Sequence, residues 1–284
     1  MFRFFYVNEQ IVPSSEASLG ITDLAILRGY GVFDYFLVRE GVPMYIDDYV
    51  ARFQRSAALL HLELPISLDK LKIHILNLIK ANEQSDASIR LVLTGGYAED
   101  GYTPIRPNLL ILEHDMPRYP NEVVQQGVRV MLHEFQREVP EAKTINYLTG
   151  IRLAGQMRQQ GAIEIIYHDG RFVREGVRSN VFIVTPDDVL ATPDKKILAG
   201  VTRKNILEVA KAHLTVQERD VSLADLLNAK EVFISSTTKG AIPVVQIDDQ
   251  MVADGKPGAI TLQLAHLLQE YDAAYIAAQH TAMV

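Results

Sequence analysis

The chain has 284 residues, of which 48% are hydrophobic and 22% charged, enough apolar surface for one large domain or two of ordinary size. Its formal charge of -7 argues against a nucleic-acid or anionic-membrane surface, which needs a basic excess. There is no cysteine, which excludes disulfides, thiol nucleophiles and cysteine-ligated metals, and the eight histidines lack paired ligand spacing, so no metal site is expected.

The opening MFRFFYVNEQIV reads as strand, turn and strand. It does not read as a signal peptide, having no long apolar core and no small-residue cleavage site. No stretch approaches the roughly 20 apolar residues of a spanning helix, so a soluble, cytoplasmic protein is expected. VFDYFLVREGVPMYI predicts two strands joined at Glu40-Gly41. DDYVARFQRSAALLHL predicts a helix with Val50, Phe53, Ala57 and Leu60 on one face. A second helix is expected over 67–83, then the strands SIRLVLTGG and NLLILEH.

DMPRYPNEV, with two prolines in a polar setting, is the candidate interdomain linker. The expected division is a small N-terminal domain over 1–117, a linker over 118–123 and a larger C-terminal domain over 124–284. That second part opens with the strand GVRVMLHEF, passes Lys143, and enters a helix near 146–160. IEIIYHDGRFVRE is a hairpin on an Asp-Gly turn, followed by strands in SNVFIV and DVLAT. VTRKNILEVAKAHL is helical, EVFISSTT is a strand, and a closing helix starts near 258. Strands often adjoin strands, so the class is α+β. No dinucleotide fingerprint, P-loop or G-x-S-x-G elbow occurs.

Four segments carry residues suited to chemistry on an anion and an amine. In VPEAKTINYL, Lys143 is flanked by Ile145 and Leu148; most lysines are surface charges, but burial lowers an amine's pKa and frees the lone pair for Schiff-base chemistry. In EGVRSNVF, Glu175 ends a strand before Gly176. It is either a solvated carboxylate or the partner of a protonated ring nitrogen. In ILAGVTRKNILEVA, Val201 and Thr202 follow a glycine at a helix start, which is a plain turn or a phosphate seat. In SSTTKGAIPV, the hydroxyls at the strand end either cap backbone groups or bind phosphate and carboxylate oxygens.

Together, ARFQRSA, K-x-x-N-Y-L, EG-x-x-SNVF, L-x-G-V-T-R and STT-x-x-x-x-PV resemble, in order and spacing, the class IV aminotransferases. This is the fold-type-IV pyridoxal-phosphate family, which includes branched-chain and D-amino acid aminotransferases and aminodeoxychorismate lyase. The resemblance runs from about residue 5 to 270, nearly the whole chain. It implies a two-domain fold with a small N-terminal α/β domain and a larger C-terminal domain with a β-barrel-like core. It also implies pyridoxal 5′-phosphate as cofactor, with Lys143 as the catalytic Schiff-base lysine and Glu175 at the pyridine nitrogen. Arg52, Val201, Thr202 and Thr237 would hold the phosphate, Tyr147 would bond the phenolic oxygen, and Leu198 would pack on the ring.

Within that family, STT-x-x-x-x-PV and the two-residue gap between Lys143 and Asn-Tyr-Leu look closest to the D-amino acid enzymes. Their substrate-carboxylate trap, an Arg and a nearby His, is absent; the aligned stretch is Thr94-Gly95-Gly96, and the usual tyrosine of G-V-Y-E is Phe33. A buried carboxylate must still be neutralised. Arg28 and Arg90 are therefore the candidate substrate-binding cations, with Phe33 and Thr238 beside them and Arg28 reaching a neighbour's site in a homodimer. Arg178 stands where relatives carry a small residue and either meets the cofactor or points to solvent. The expected activity is transamination between a D-amino acid, alanine or glutamate, and 2-oxoglutarate or pyruvate. A branched-chain L-amino acid aminotransferase and then an aminodeoxychorismate lyase are the alternatives.

Overall fold

The computed structural model describes residues 2–117 and 121–282. They form two compact units. The first comprises the chain up to Pro117, the short segment Ala142–Asn146 and the chain from Tyr275 on. The second comprises the intervening chain up to Glu141 and Tyr147–Ala274.

In the first unit, β1 (Phe4–Val7) and β2 (Gln10–Pro13) form a hairpin, followed by α1 (Leu24–Arg28), β3 (Gly31–Arg39) and β4 (Val42–Pro43). Helices α2 (Ile46–Leu59) and α3 (Leu68–Asn82) precede β5 (Ala87–Thr94) and β6 (Leu109–His114). Among the described residues these strands make one sheet in the order β2-β1-β6-β5-β3-β4. Its core is Phe36, Ile89 and Leu91 from the strands against Phe53, Leu71, Ile75 and Leu78 from the helices, all fully buried. Ser67 caps α3 by accepting from Lys70 N–H, which fixes where that helix starts.

The second unit contains α4 (Asn121–Gln126), β7 (Val128–Glu134), α5 (Leu148–Gln159), β8 (Glu164–His168), β9 (Phe172–Gly176), β10 (Asn180–Val184) and β11 (Leu190–Thr192). It continues with α6 (Val201–Ala210), β12 (Val216–Glu218), β13 (Val221–Ser222), α7 (Leu223–Leu227), β14 (Glu231–Ser236), β15 (Gly240–Ile247) and β16 (Gln250–Met251). The last helix, α8 (Ala259–Ala282), starts in this unit. The sheet, ordered β12-β11-β10-β14-β15-β7-β8-β9-β13 with β16 beside β15, curls into a half-barrel. Its interior is lined by Val130, Ile166, Val173, Ile183, Ile234 and Ile242. A second apolar layer joins Phe182 and Phe233, stacked at 4.6 Å, to Leu264 and Leu268 of α8. The Glu231 carboxylate accepts Ile260 N–H at 3.0 Å and Thr261 N–H at 2.7 Å, so an anion caps the positive end of α8.

Two features depart from the sequence-based division. Of the expected linker, 118–120 lie outside the described residues, while 121–123 are already the first turn of α4. The segments Ala142–Asn146 and Tyr275 onward, expected in the C-terminal domain, pack with the first unit. Hydrogen bonds explain both cases. Phe33 N donates to Lys143 O at 2.9 Å and Ile145 N to Gly31 O at 3.1 Å, so 142–146 adds a short rung to β3. A Cβ on Gly31 would lie 2.7 Å from Leu93 O and 3.2 Å from Ile145 Cδ1, so glycine is needed for that approach. At the other end, the Tyr275 ring packs at a tilt on Tyr45, centroids 4.3 Å apart, and His280 Nε2 lies 3.1 Å from Glu40 O.

The first unit also buries a carboxyl. Glu113 on β6 is fully buried, and its Oε2 accepts from Asn82 Nδ2 at 2.8 Å while Oε1 has no partner among the described residues. Burial pushes this carboxyl up to about 7, against the smaller opposing pull of Asn82. From pH about 4.5 to about 7 the unfolded chain ionises Glu113 while the folded chain keeps the proton, so this group's contribution to stability falls as pH rises and is level above. Urea unfolding across that range is expected to show a steeper fall in wild type than in Glu113→Gln. Identical slopes would contradict the assignment.

Candidate active site

In the first unit, the site is built on the two faces of β3. Alternation sends Asp34 to the helix-covered face and Phe33 and Tyr35 to the other. Asp34 is fully buried and holds Arg52 of α2 by two bonds, Nε to Oδ2 at 2.9 Å and Nη2 to Oδ1 at 2.6 Å. Arg52 is itself 5% exposed, so a bidentate pair fixes its fork along one edge. One turn on, Ser56 Oγ accepts the backbone N–H of Lys143 at 3.1 Å. The four-residue spacing of Arg52 and Ser56 on α2 thus holds both β3 and the Lys143 segment.

On the other face, Lys143 Nζ stands 4.6 Å from the centroid of the Phe33 ring. Arg90 lies across from Tyr35 in the β3–β5 register, with its guanidinium 5.3 Å from the Phe33 ring and 5.5 Å from that of Tyr35. Among the described residues no carboxylate pairs with Arg90. The structure therefore brings Lys143, Phe33 and Arg90 together. Arg28, in the last turn of α1, is exposed, with its Nη1 donating to Leu27 O. It does not join that group within the chain.

In the second unit, Glu175 near the end of β9 is 5% exposed. Its Oε1 accepts from Arg137 Nε at 2.8 Å, and its Oε2 accepts from Leu198 N–H at 2.9 Å. Arg137 also donates to Pro140 O. Tyr167 lies in the same buried region, where desolvation first, then Glu164 and Glu175, pushes its phenol up to about 12 and keeps it neutral. Glu175, Leu198 and the start of α6 are linked through the 197–200 turn, which Asn180 Nδ2 also holds by donating to Leu198 O at 2.8 Å. Val201 and Thr202 open α6 behind Gly200. Thr237 and Thr238 occupy the turn between β14 and β15 and are half-buried, as is Tyr147 at the N-cap of α5. Leu148, expected beside Lys143 as apolar cover, is 63% exposed, and Arg178 is exposed.

These donors suit a phosphate-bearing pyridine. The α6 N-terminus has no side-chain cap and no acidic residue in its first turn, leaving amide N–H groups at the positive end of the dipole. Ser235 Oγ and Ser236 Oγ, at the end of β14, are buried without a hydrogen-bond partner among the described residues. In the same unit Glu175 supplies an oriented carboxylate. Asp34, Ser56 and Arg137 were not singled out in the sequence. Asp34 had a usable signal, alternating with Phe33 in GVFD, whereas Arg137 meets a partner 38 residues away and had none.

Known proteins resemble the chain over most of its length. The family model of class IV amino-transferases matches residues 31–247. A D-alanine aminotransferase from Listeria monocytogenes is 33% identical over 268 residues, 91% of this chain and 92% of that protein. A putative branched-chain-amino-acid aminotransferase from Methanocaldococcus jannaschii is 30% identical, over 91% of this chain and 93% of that protein. Among solved structures, the branched-chain amino acid aminotransferase of Escherichia coli superposes with a TM-score of 0.86 at 26% identity, covering 93% of this chain and 92% of that one.

The Asp34–Arg52 pair generates a direct test. Asp34→Ala leaves the guanidinium buried without its carboxylate, so denaturant unfolding of the cofactor-free protein should show a loss of roughly 3–5 kcal/mol. A loss below about 1 kcal/mol would mean the pair is exposed to solvent.

Proposed function

Because the chain belongs to the class IV aminotransferases, whose cofactor is pyridoxal 5′-phosphate, we propose that it moves an amino group between a D-amino acid of the alanine or glutamate type and pyruvate or 2-oxoglutarate. The observation that carries this reading is the shared ring: Lys143 Nζ and the Arg90 guanidinium both lie over Phe33. An amine for proton transfer and a cation that no carboxylate pairs with among the described residues suit the two ends of an α-amino acid. The 33% identity with a D-alanine aminotransferase supports the D-amino acid choice. The Methanocaldococcus and Escherichia coli relatives favour a second reading, transfer from branched-chain L-amino acids.

When bound, pyridoxal phosphate supplies a ring that takes up the electron pair released when the substrate Cα–H bond breaks. The chain's own residues do the rest. Lys143 Nζ would take the substrate's Cα proton as general base and later give a proton back as general acid. Glu175, fixed by Arg137 and by Leu198 N–H, keeps a proton at the ring nitrogen. Arg52, the amides of Val201 and Thr202 and the Thr237 hydroxyl would hold the phosphate, with Tyr147 at the phenolic oxygen and Leu198 against the ring. Arg90 receives the substrate carboxylate, with Phe33 and Thr238 lining its approach. A second 2-oxo acid reverses the sequence.

Arg28 completes this pocket from a second copy of the chain in a homodimer. In support, α1 exposes Ile26 and Leu27, at 57% and 42%, on the same five-residue helix as Arg28, an apolar surface in want of cover. Arg90→Ala and Arg28→Ala should each raise KM for a D-amino acid about tenfold or more, as expected when a carboxylate loses a charged partner. Wild-type KM in both variants would remove the carboxylate role. Following the cofactor's absorbance with D- and L-alanine, D- and L-glutamate and L-leucine tests the substrate; a response to L-leucine alone would overturn the D-amino acid reading in favour of the branched-chain one.

A further inference from the structure

A buried ion pair to which no role has yet been given lies in the second unit. Glu164, the first residue of β8, is 1% exposed, and its Oε2 accepts from Lys239 Nζ at 2.8 Å and from Ser179 Oγ at 3.1 Å. The two charged side chains are 1% and 2% exposed. Lys239 ends the turn that carries Thr237 and Thr238, a turn closed by its own N–H to Ser236 O at 3.1 Å. Ser179 ends the turn that follows Glu175, closed by Gly176 N–H to Ser179 O at 2.7 Å. A Cβ on Gly176 would stand 2.3 Å from Ser179 Oγ and 3.1 Å from Glu164 Cγ, so the glycine lets hydroxyl and carboxylate close up. One residue further, Asn180 extends the contact to Leu198 O.

Stability alone does not call for such a pair, since well-packed apolar side chains of similar volume hold a sheet at least as well. What it adds is direction: one carboxylate oxygen fixes two turns at once. We infer that Glu164 and Lys239 are positioning residues for the cofactor, holding the Thr237–Thr238 turn in register with the strand end that carries Glu175. Neither touches the cofactor; each acts through the turn it anchors. The inference rests on the roles proposed above for Glu175 and Thr237.

The test titrates the cofactor-free protein with pyridoxal phosphate, reading affinity and visible circular dichroism, with urea unfolding of the same cofactor-free protein measured alongside. Lys239→Met strands the Glu164 charge, so both stability and affinity should fall. In the double variant Glu164→Leu/Lys239→Met the cofactor-free protein should regain its stability, yet bind pyridoxal phosphate at least about tenfold more weakly with an altered dichroism band. Ser179→Ala, which keeps the ion pair and removes one arm, should bind a few-fold more weakly with unchanged unfolding. A double variant that binds and absorbs like wild type would make the pair merely structural and overturn the inference. So would unchanged affinity in Ser179→Ala, should the double variant fail to fold. Wild-type affinity in Thr237→Ala would instead remove the premise, and the inference with it, a result separable because it leaves Glu164 and Lys239 intact.

Discussion

Lys143 is held in place by its backbone, and the rest of the site depends on that. Its carbonyl accepts from Phe33 N–H, its own N–H donates to Ser56 Oγ, and two residues on Ile145 N–H bonds Gly31 O. The Cα is thereby fixed to the first unit's sheet and helix, while the side chain reaches Nζ out over the Phe33 ring. A reactive lysine needs this combination. Its root must be fixed so that the amine meets the reacting carbon, and its tip must move so that one nitrogen can take up and return a proton. Five residues, Ala142–Asn146, leave the second unit's run of sequence to make those bonds.

Within each unit the described residues bury acids against bases: Asp34 with Arg52 in the first, Glu175 with Arg137 and Glu164 with Lys239 in the second. Each pair gives up hydration, and none is a strong source of net stability. Their common effect is orientation. Asp34 sets the plane of a guanidinium, Arg137 and Leu198 N–H set the plane of a carboxylate, and Glu164 sets the spacing of two turns. Glu113 differs, because burial without a cation keeps it protonated toward neutral pH and ties its state to folding rather than to chemistry. Charge pairing thus separates carboxylates that shape the site from one that belongs to the core.

Much of the architecture was legible in the sequence because its signals are local. A helix expected over 67–83 is α3, Asp169-Gly170 predicts the β8–β9 hairpin, and Glu40-Gly41 the turn after β3. Strand β15 carried a contrary signal, Pro243 in its interior, which is tolerated because the parallel ladder with β7 starts only at Val244. The five-residue helix α1 is too short for a hydrophobic period and forms on the Asp23 cap, whose side chain accepts Ala25 N–H. The candidate residues with motif context, Lys143, Glu175 and Arg52, could be singled out from the sequence, whereas the partners that orient them could not. Arg137, Ser56 and Lys239 act across 38, 87 and 75 residues of sequence, a separation that no periodicity or spacing rule encodes. The domain division failed at 142–146 for the same reason, since only the long-range rung on β3 places that segment.

The central claim, that Lys143 is the amine pinned for chemistry, is tested most directly by chemical trapping. The protein loaded with pyridoxal phosphate is reduced with borohydride, digested, and the peptide carrying the pyridoxyl mass is sequenced. The account predicts the label on Lys143 alone, with Lys239, buried against Glu164, left unmodified. A stoichiometric label on any other lysine, or full labelling retained in Lys143→Ala, would contradict it.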